Sequence, residues 1–405
     1  MDETIGNINR IIDGYEREMV EELKDIIGIK SISPSSGGMG ESKRVEHLLP
    51  LLKAQGADAK IYSYKDETGT ERPSIVATRG AAGRTIWVVA HIDTVSEGDP
   101  AMWSTNPFEG VEKDGRVYGR GSSDNGQDVV AGIYAMKALG AAKAEMKYRM
   151  GLVLVADEEV GSKYGIQKLL DEQGVFGKED MFLVPDAGVE DGSEIEVSEK
   201  GMLWIKITTT GKQVHASTPH LGINACRHAV GLLDRIDTDL HRKYTKTNKL
   251  FAPDTSTFEI TKREANVGSV NIIPGKDVSY IDCRILPDYS VDEVLEDVKR
   301  LASEAEMRTP GLKIEVEVFQ REDPAPTTDP NSEIARLLGK RIREQLGVEP
   351  KTIGIGGGTC AAFARRKGFQ AAVWNTTGEV AHSPDEYAVI KHMMGDAKVI
   401  ASLFV

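Results

Sequence analysis

The sequence predicts an α/β protein built on a mainly parallel sheet, with a smaller α+β unit inserted into it. Three observations carry that expectation. Short, continuously apolar runs stand at Thr85-Ile-Trp-Val-Val-Ala90, Gly151-Leu-Val-Leu-Val-Ala156 and Met181-Phe-Leu-Val-Pro185, as strands buried on both faces of a parallel sheet require. Helical patterns such as Val129 to Leu139 and Tyr164 to Leu170 separate them. Between about residues 200 and 320 the runs give way to alternating strands, the mark of a sheet wetted on one face.

Taken in order, residues 1 to 28 interleave Glu, Lys and Arg with Ile, Val and Leu at helical spacing. A Ser/Gly/Pro stretch follows from Ser31 to Glu41, then a helix from about Ser42 to Ala54 with Val45, Leu48, Leu49 and Leu52 on its apolar face. The three buried strands come next. The inserted stretch contributes strands at Leu203 to Thr209, Ser256 to Thr261 and Val278 to Leu286, and amphipathic helices at about Asn224 to Ile236 and Val291 to Ala305. Pro324, Pro326 and Pro330 mark the return to the core, where Ala371-Ala-Val-Trp374 supplies a fourth apolar run.

A chain of 405 residues is long enough for two or three domains with sizeable cores. With 50 basic and 63 acidic residues the net charge is −13, and no long Lys/Arg block exists, so nucleic acid is excluded as a partner and an anionic bilayer is disfavoured. No apolar run approaches the ~20 residues that span a bilayer. The cysteines Cys226, Cys283 and Cys360 are odd in number and far apart, which gives neither a disulfide framework nor a thiolate metal site and fits a cytoplasmic protein.

Each candidate strand ends in side chains suited to a cation: His91-Ile-Asp93 after the first, Asp157-Glu158-Glu159 after the second, Asp186 after the third. Open parallel sheets bind ligands beyond the carboxyl ends of their strands, so these residues can converge on one crevice. Alone, each is more often a turn residue or a helix cap; the coincidence is the signal. On an extended backbone His91 and Asp93 share a side, so the Asp93 carboxylate can orient the imidazole. The consecutive Glu158 and Glu159 diverge, which allows one to ligate and the other to move a proton. Asp124 follows a glycine-rich segment just ahead of a helix, where a plain N-cap is an equal reading. His382 lies in the turn-like Ala381-His-Ser-Pro-Asp-Glu-Tyr387.

Together these positions resemble the co-catalytic zinc exopeptidase and deacylase family, which includes acetylornithine deacetylase, succinyl-diaminopimelate desuccinylase, aminoacylase, glutamate carboxypeptidase and several dipeptidases. The resemblance runs from about residue 15 to 405. Its motifs are His91-Ile-Asp-Thr-Val95, Gly119-Arg-Gly-x-x-Asp124, Asp157-Glu-Glu-Val-Gly161, Asp186, Gly211-x-x-x-His215-Ala-Ser217, Asn271-Ile-Ile-Pro274, Gly356-Gly-Gly-Thr359 and His382-Ser-Pro384. It implies a zinc-exopeptidase-like core from residues 1–200 and 321–405, and a ferredoxin-like lid and dimerisation domain from 201–320. It implies two divalent ions, zinc or cobalt, with Asp124 bridging, His91 and Asp186 completing one site, and Glu159 and His382 the other. Glu158 would be the general base, Asp93 would hold the His91 ring, and His215 would stabilise the oxyanion, in dimeric members that of the partner subunit. Asn271, Arg284, Gly357, Gly358 and Thr359 resemble positions that contact the substrate's free carboxylate.

The implied activity is hydrolysis of the amide bond in a small N-acyl amino acid, as in a desuccinylase or deacetylase, or alternatively in a dipeptide. Two features pull apart. Asp186 is similar to what dipeptidases of the family carry, whereas Val373-Trp-Asn375 and Val160-Gly-Ser-Lys-Tyr-Gly165 resemble the desuccinylase or deacetylase. Asn125-Gly-Gln127 departs from the Met-Lys-Gly or Asp-Lys-Gly of familiar members. A non-catalytic assembly protein that kept the fold is the reading from another class, and Glu158 beside a full ligand set argues against it. Phosphate binding at Gly354 to Gly358 lacks the Lys-Ser/Thr ending of a P-loop.

Overall fold

A computed structural model describes residues 3–81 and 83–405. The chain forms two compact units, one of residues up to Val197 with Thr328–Ile353 and Thr359–Val405, the other of Ser198–Thr327 with Gly354–Gly358.

An eight-stranded sheet runs through the first unit in the order Asp58–Lys65, Glu71–Arg79, Arg149–Val155, Thr85–His91, Met181–Val184, Gln370–Val373, Glu194–Glu199 and Lys351–Ile355. Its four central strands are parallel, with Ile86 opposite both Met150 and Met181, and Gln370 opposite Met181. Antiparallel partners flank them. This is the α/β core with a mainly parallel sheet that the apolar runs predict. Every residue of Thr85–His91 is buried, because helices cover both faces of the sheet.

Helix Gln127–Ala141 lies on one face, packed against Ile390–Ser402 and Glu3–Asp13. It is apolar nearly all round, as a fully buried helix must be. Its Gly132 approaches Leu152 so closely that a Cβ would stand 2.8 Å from the leucine methyl. On the other face Trp87, Val89, Val153, Val155, Phe182, Val184, Ala371 and Val373 pack with Ile166, Leu169, Ala361 and Ala364, from helices Ile166–Asp171 and Cys360–Arg366. Each large apolar side chain so buried contributes about 2 kcal/mol relative to exposure. The N-terminal segment forms two helices, Glu3–Asp13 and Glu16–Gly28, instead of one, with Gly14 and Tyr15 between them.

The second unit is a βαββαβ fold with an antiparallel sheet in the order Thr257–Arg263, Lys276–Ile285, Gly201–Thr210 and Lys313–Glu322. That is the ferredoxin-like arrangement. Helices Ala225–Lys243 and Val291–Arg308 bury one face through Leu203, Ile205, Ile207, Leu232, Ile236, Ile281, Val294, Val298 and Leu301. Asn224 caps the first, accepting from the Arg227 N–H at 3.0 Å, and Ser290 caps the second. The alternate residues Trp204, Lys206, Tyr280, Asp282 and Arg284 fall on the opposite, partly exposed face. Among the described residues no helix is long and apolar enough to cross a membrane.

Candidate functional site

The site is assembled in the first unit from strand ends and the loops beyond them. His91 closes strand Thr85–His91 and its side chain is 2% exposed. Its Nε2 lies 2.7 Å from Asp124 Oδ1 and 3.4 Å from Asp186 Oδ1. On the far side of Asp124, Oδ2 is 3.1 Å from His382 Nε2, which is also 3.0 Å from Glu159 Oε2. Two three-residue groups result, His91–Asp124–Asp186 and Asp124–Glu159–His382, each with its donor atoms within 4.8 Å of one another and with Asp124 in both.

Local chemistry explains each placement. The loop that carries Asp124 needs its glycines: Gly121 has φ +77, and a Cβ there would meet the Thr94 methyl at 2.5 Å. Asp157 opens the Glu158–Val160 turn in the left-handed region, φ 71, with its carboxylate held by the Arg72 guanidinium at 2.6 Å and the Tyr164 N–H at 2.8 Å. The Asp93 carboxylate accepts the backbone N–H groups of Glu158 and Glu159 at 3.0 and 3.1 Å. It therefore sets the turn while standing beside the His91 ring. The ring's Nδ1 is held by the Asp93 backbone carbonyl at 3.0 Å, with the nearer carboxylate oxygen at 3.6 Å. The Ile92 N–H still donates to the Val155 carbonyl at 2.8 Å, so backbone pairing runs one residue past His91 before Asp93 turns to its loop contacts.

Five carboxyl groups and two imidazoles share this space, and their protonation reflects it. Burial pushes the Glu158 carboxyl well above the usual range, reinforced by Asp186, while His91 pulls the other way. No hydrogen bond to the Glu158 carboxyl is made among the described residues. Burial also raises Glu159, against the His382 ring. Asp124 is held below the carboxylate range: burial pushes it up, but His91 and His382 outweigh that. Burial works against a charged His91, and Asp124 overcomes it to hold the ring's proton well above the ordinary value. Hydrogen bonds to Asp124 and Glu159 lift His382 to about 10.

Sequence reading passed over several supporting residues. Asn125 Nδ2 donates to the Pro185 carbonyl at 2.6 Å, with Asp186 Oδ1 and Asp128 Oδ2 each at 3.3 Å, and Asn375 donates to Asp128 at 2.9 Å. Gln127 Nε2 donates to the Thr376 carbonyl at 2.9 Å. The departure at Asn125 and Gln127 is thus a buried polar support beneath the strand ends. Glu386, inside the quoted His382 segment, accepts backbone N–H groups of the Asp124 loop. The only available signal was a second acid four residues after a candidate histidine.

The remaining candidates divide between the units. Thr359 belongs to the first, where its hydroxyl caps helix Cys360–Arg366 by accepting from the Ala361 N–H at 3.1 Å. In the second unit the exposed His215 stands opposite Ile272, beside Asn271, whose carbonyl accepts the Ala216 N–H at 2.8 Å. The Ser217 N–H lies 3.1 Å and the Ser217 hydroxyl 2.7 Å from His215 Nδ1, so both hold the ring through that nitrogen. Arg284 is gripped by the Asp282 carboxylate at 2.8 and 3.0 Å and donates to the Gly356 carbonyl at 2.9 Å, which ties it to the loop of Gly357 and Gly358.

Comparison with known proteins gives the family and the fold. The model of peptidase family M20/M25/M40 matches residues 87–405. An uncharacterized metallohydrolase of Methanocaldococcus jannaschii is 38% identical over 400 residues, 94% of this chain and 97% of its own. A succinyl-diaminopimelate desuccinylase of a Nitratiruptor species is 25% identical over 378 residues, 91% and 94% of the two chains. Among solved structures, human carnosine dipeptidase 1 has the same fold with a TM-score of 0.72 at 19% identity, covering 98% of each chain. An M20 family metallo-carboxypeptidase from Sulfolobus solfataricus gives 0.73 at 20% identity, over 95% of this chain and 98% of that one.

Proposed function

The chain belongs to peptidase family M20/M25/M40, and from that premise we propose that it is a two-metal hydrolase that frees an amino acid from a small N-acyl amino acid. The observation that carries this reading is the pair of His/carboxylate groups joined through Asp124, with the Glu158 carboxyl beside them. The donor set fits divalent cations. Imidazole nitrogen and carboxylate oxygen suit zinc or cobalt, and five carboxyls crowded around two imidazoles leave an excess of negative charge for cations to balance. His91, Asp124 and Asp186 would hold one ion, and Asp124, Glu159 and His382 the other. Such a pair supplies Lewis acidity, which lowers the pKa of water and polarises the scissile carbonyl.

The chain's own residues do the rest. Glu158 takes a proton from water and returns it to the leaving nitrogen, a role that a carboxyl with a raised pKa and no competing hydrogen bond suits. Asp93 keeps the Glu158–Glu159 turn in place through two backbone bonds. His215 donates from Nε2 to the oxygen on which negative charge develops, a contribution of about 3 to 4 kcal/mol for a preorganised donor. Arg284, Asn271, Gly357, Gly358 and Thr359 receive the free carboxylate of the substrate. The second unit is the lid and the dimerisation surface of a homodimer. Three free cysteines suit a reducing cytoplasm.

The resemblance to desuccinylases over 91% of the chain supports an N-acyl substrate, with N-succinyl or N-acetyl as the leading groups. Asp186 favours a second reading, in which the substrate is a dipeptide. A panel of succinyl-diaminopimelate, acetylornithine, acetylated amino acids and dipeptides, assayed after zinc or cobalt loading, separates the two. Release of free amino acid from acylated substrates is expected. Cleavage of dipeptides alone would transfer the assignment to the second reading, and no cleavage by a protein holding two ions would overturn both.

A further inference from the structure

Two loops bring the shared ligand and the exposed imidazole to the site, and one buried carboxylate fastens them together. The Glu386 side chain is 0% exposed and accepts four hydrogen bonds. Its Oε1 takes the backbone N–H groups of Ser123 at 2.9 Å and Asp124 at 3.0 Å. Its Oε2 takes the Gly121 N–H at 3.0 Å and the Arg120 guanidinium at 2.7 Å. The same guanidinium, 2% exposed on its side chain, reaches the His382 backbone carbonyl at 3.3 Å through its other terminal nitrogen. Strand Tyr387–Val389 lies antiparallel to Arg116–Tyr118, with Tyr387 opposite Tyr118, so the two segments leave a common ladder and are rejoined by this pair.

We propose that Arg120 and Glu386 are positioning residues that set the separation of the Asp124 carboxylate from the His382 imidazole, and with it the affinity of the site for its ions. The proposal rests on the two-metal reading. A purely structural anchor could bind anywhere along the loops, yet the bonded atoms here are the backbone N–H of Asp124 itself and the backbone carbonyl of His382 itself. The ion pair is also close to neutral as a unit. Burial and the Asp124 carboxylate both oppose the Glu386 charge, and the Arg120 guanidinium and the backbone N–H groups of Gly121 and Asp124 work against them. Without Glu386, three buried backbone N–H groups would lose their acceptor and the loop would rearrange to find others.

The test is a competition titration of Zn2+ against a chromophoric chelator, with the visible spectrum of the Co2+-loaded protein and the thermal unfolding of the metal-free protein measured in parallel. Wild type should hold two ions. Glu386→Gln keeps size and one carbonyl oxygen but turns donors toward the Gly121 N–H or Arg120. Because Asp124 serves both groups, it should weaken both ions by roughly tenfold to a hundredfold and alter the Co2+ bands. Arg120→Lys keeps the charge and loses the two-pronged reach, so it should weaken one ion by roughly tenfold and spare the other. It decides the matter if Glu386→Gln does not fold. Variants that unfold at lower temperature yet retain wild-type zinc affinities and Co2+ bands would overturn the proposal alone. A wild-type protein without a second ion would overturn it together with the two-metal reading.

Discussion

The two halves of the site are built to opposite specifications. His91, Asp124 and Asp186 have side chains 2, 18 and 10% exposed, and the His91 ring is fixed from behind by the Asp93 carbonyl. In the other half the Glu159 side chain is 7% exposed but the His382 ring is 55% exposed, on a turn where His382 has φ 61. The first half is anchored to a strand end of the core sheet, the second to a loop held by hydrogen bonds. A buried, prefixed donor set holds an ion with little reorganisation, whereas a half-exposed imidazole exchanges with solvent and shifts with its loop. The difference teaches that the shared carboxylate joins a rigid half to an adjustable one.

Four measurements would break or sharpen that contrast. On the two-metal proposal, removing the shared carboxylate by Asp124→Ala should abolish turnover and reduce bound metal from two ions per chain toward none, by elemental analysis; one ion retained would mean that the halves do not depend on it equally. Next in size, Glu158→Gln should lower kcat by about 10²- to 10⁴-fold with both ions kept, since Glu158 belongs to neither half. Preserved activity would remove it as the proton carrier. His382→Ala and His91→Ala should each cost one ion. In wild type under dialysis against chelator, the ion that His382→Ala eliminates should leave first. Equal loss rates would dissolve the distinction.

The smallest effect lies in pH dependence without metal. The folded pKa of His382, about 10, lies above the ordinary 6.5, so its contribution to stability is complete below about pH 6.5 and is lost as pH rises through 10. Denaturant titrations of the chelated protein should show stability falling over that window, and less steeply in His382→Ala. Because both imidazoles hold their protons in the metal-free protein, loading with zinc near pH 7 should release protons, as calorimetry in buffers of different ionisation enthalpy would show.

Much of the core was legible because burial on both faces writes an unmistakable pattern. Thr85–His91, Arg149–Val155 and Met181–Val184 are nearly unbroken apolar runs, and each delivers polar residues at its carboxyl end. Strands with a wet face were harder. Lys313–Glu322 reads Lys-Ile-Glu-Val-Glu-Val-Phe-Gln-Arg-Glu, where the alternation of the first six residues is a strand signal but breaks at Phe319 and ends in a polar run, in a strand that is mostly exposed. At the site, spacing names candidate side chains but not what their backbones do. The Asp93 carboxylate serves the Glu158 and Glu159 N–H groups, and Asn125 serves the Pro185 carbonyl, partners about sixty residues away that carry no side-chain signature. Glu386 escaped notice for the same reason, since the backbone it holds is more than 260 residues upstream.

Those long separations have a consequence for a chain being synthesised. When Asp186 leaves the ribosome, the acid that secures the Asp124 loop, the second imidazole and the strand Gln370–Val373 beside Met181–Val184 are all still untranslated. The nascent polypeptide thus exposes a hydrophobic sheet edge and a half-assembled cluster of acids for nearly two hundred codons, and metal acquisition becomes an event of maturation rather than of birth.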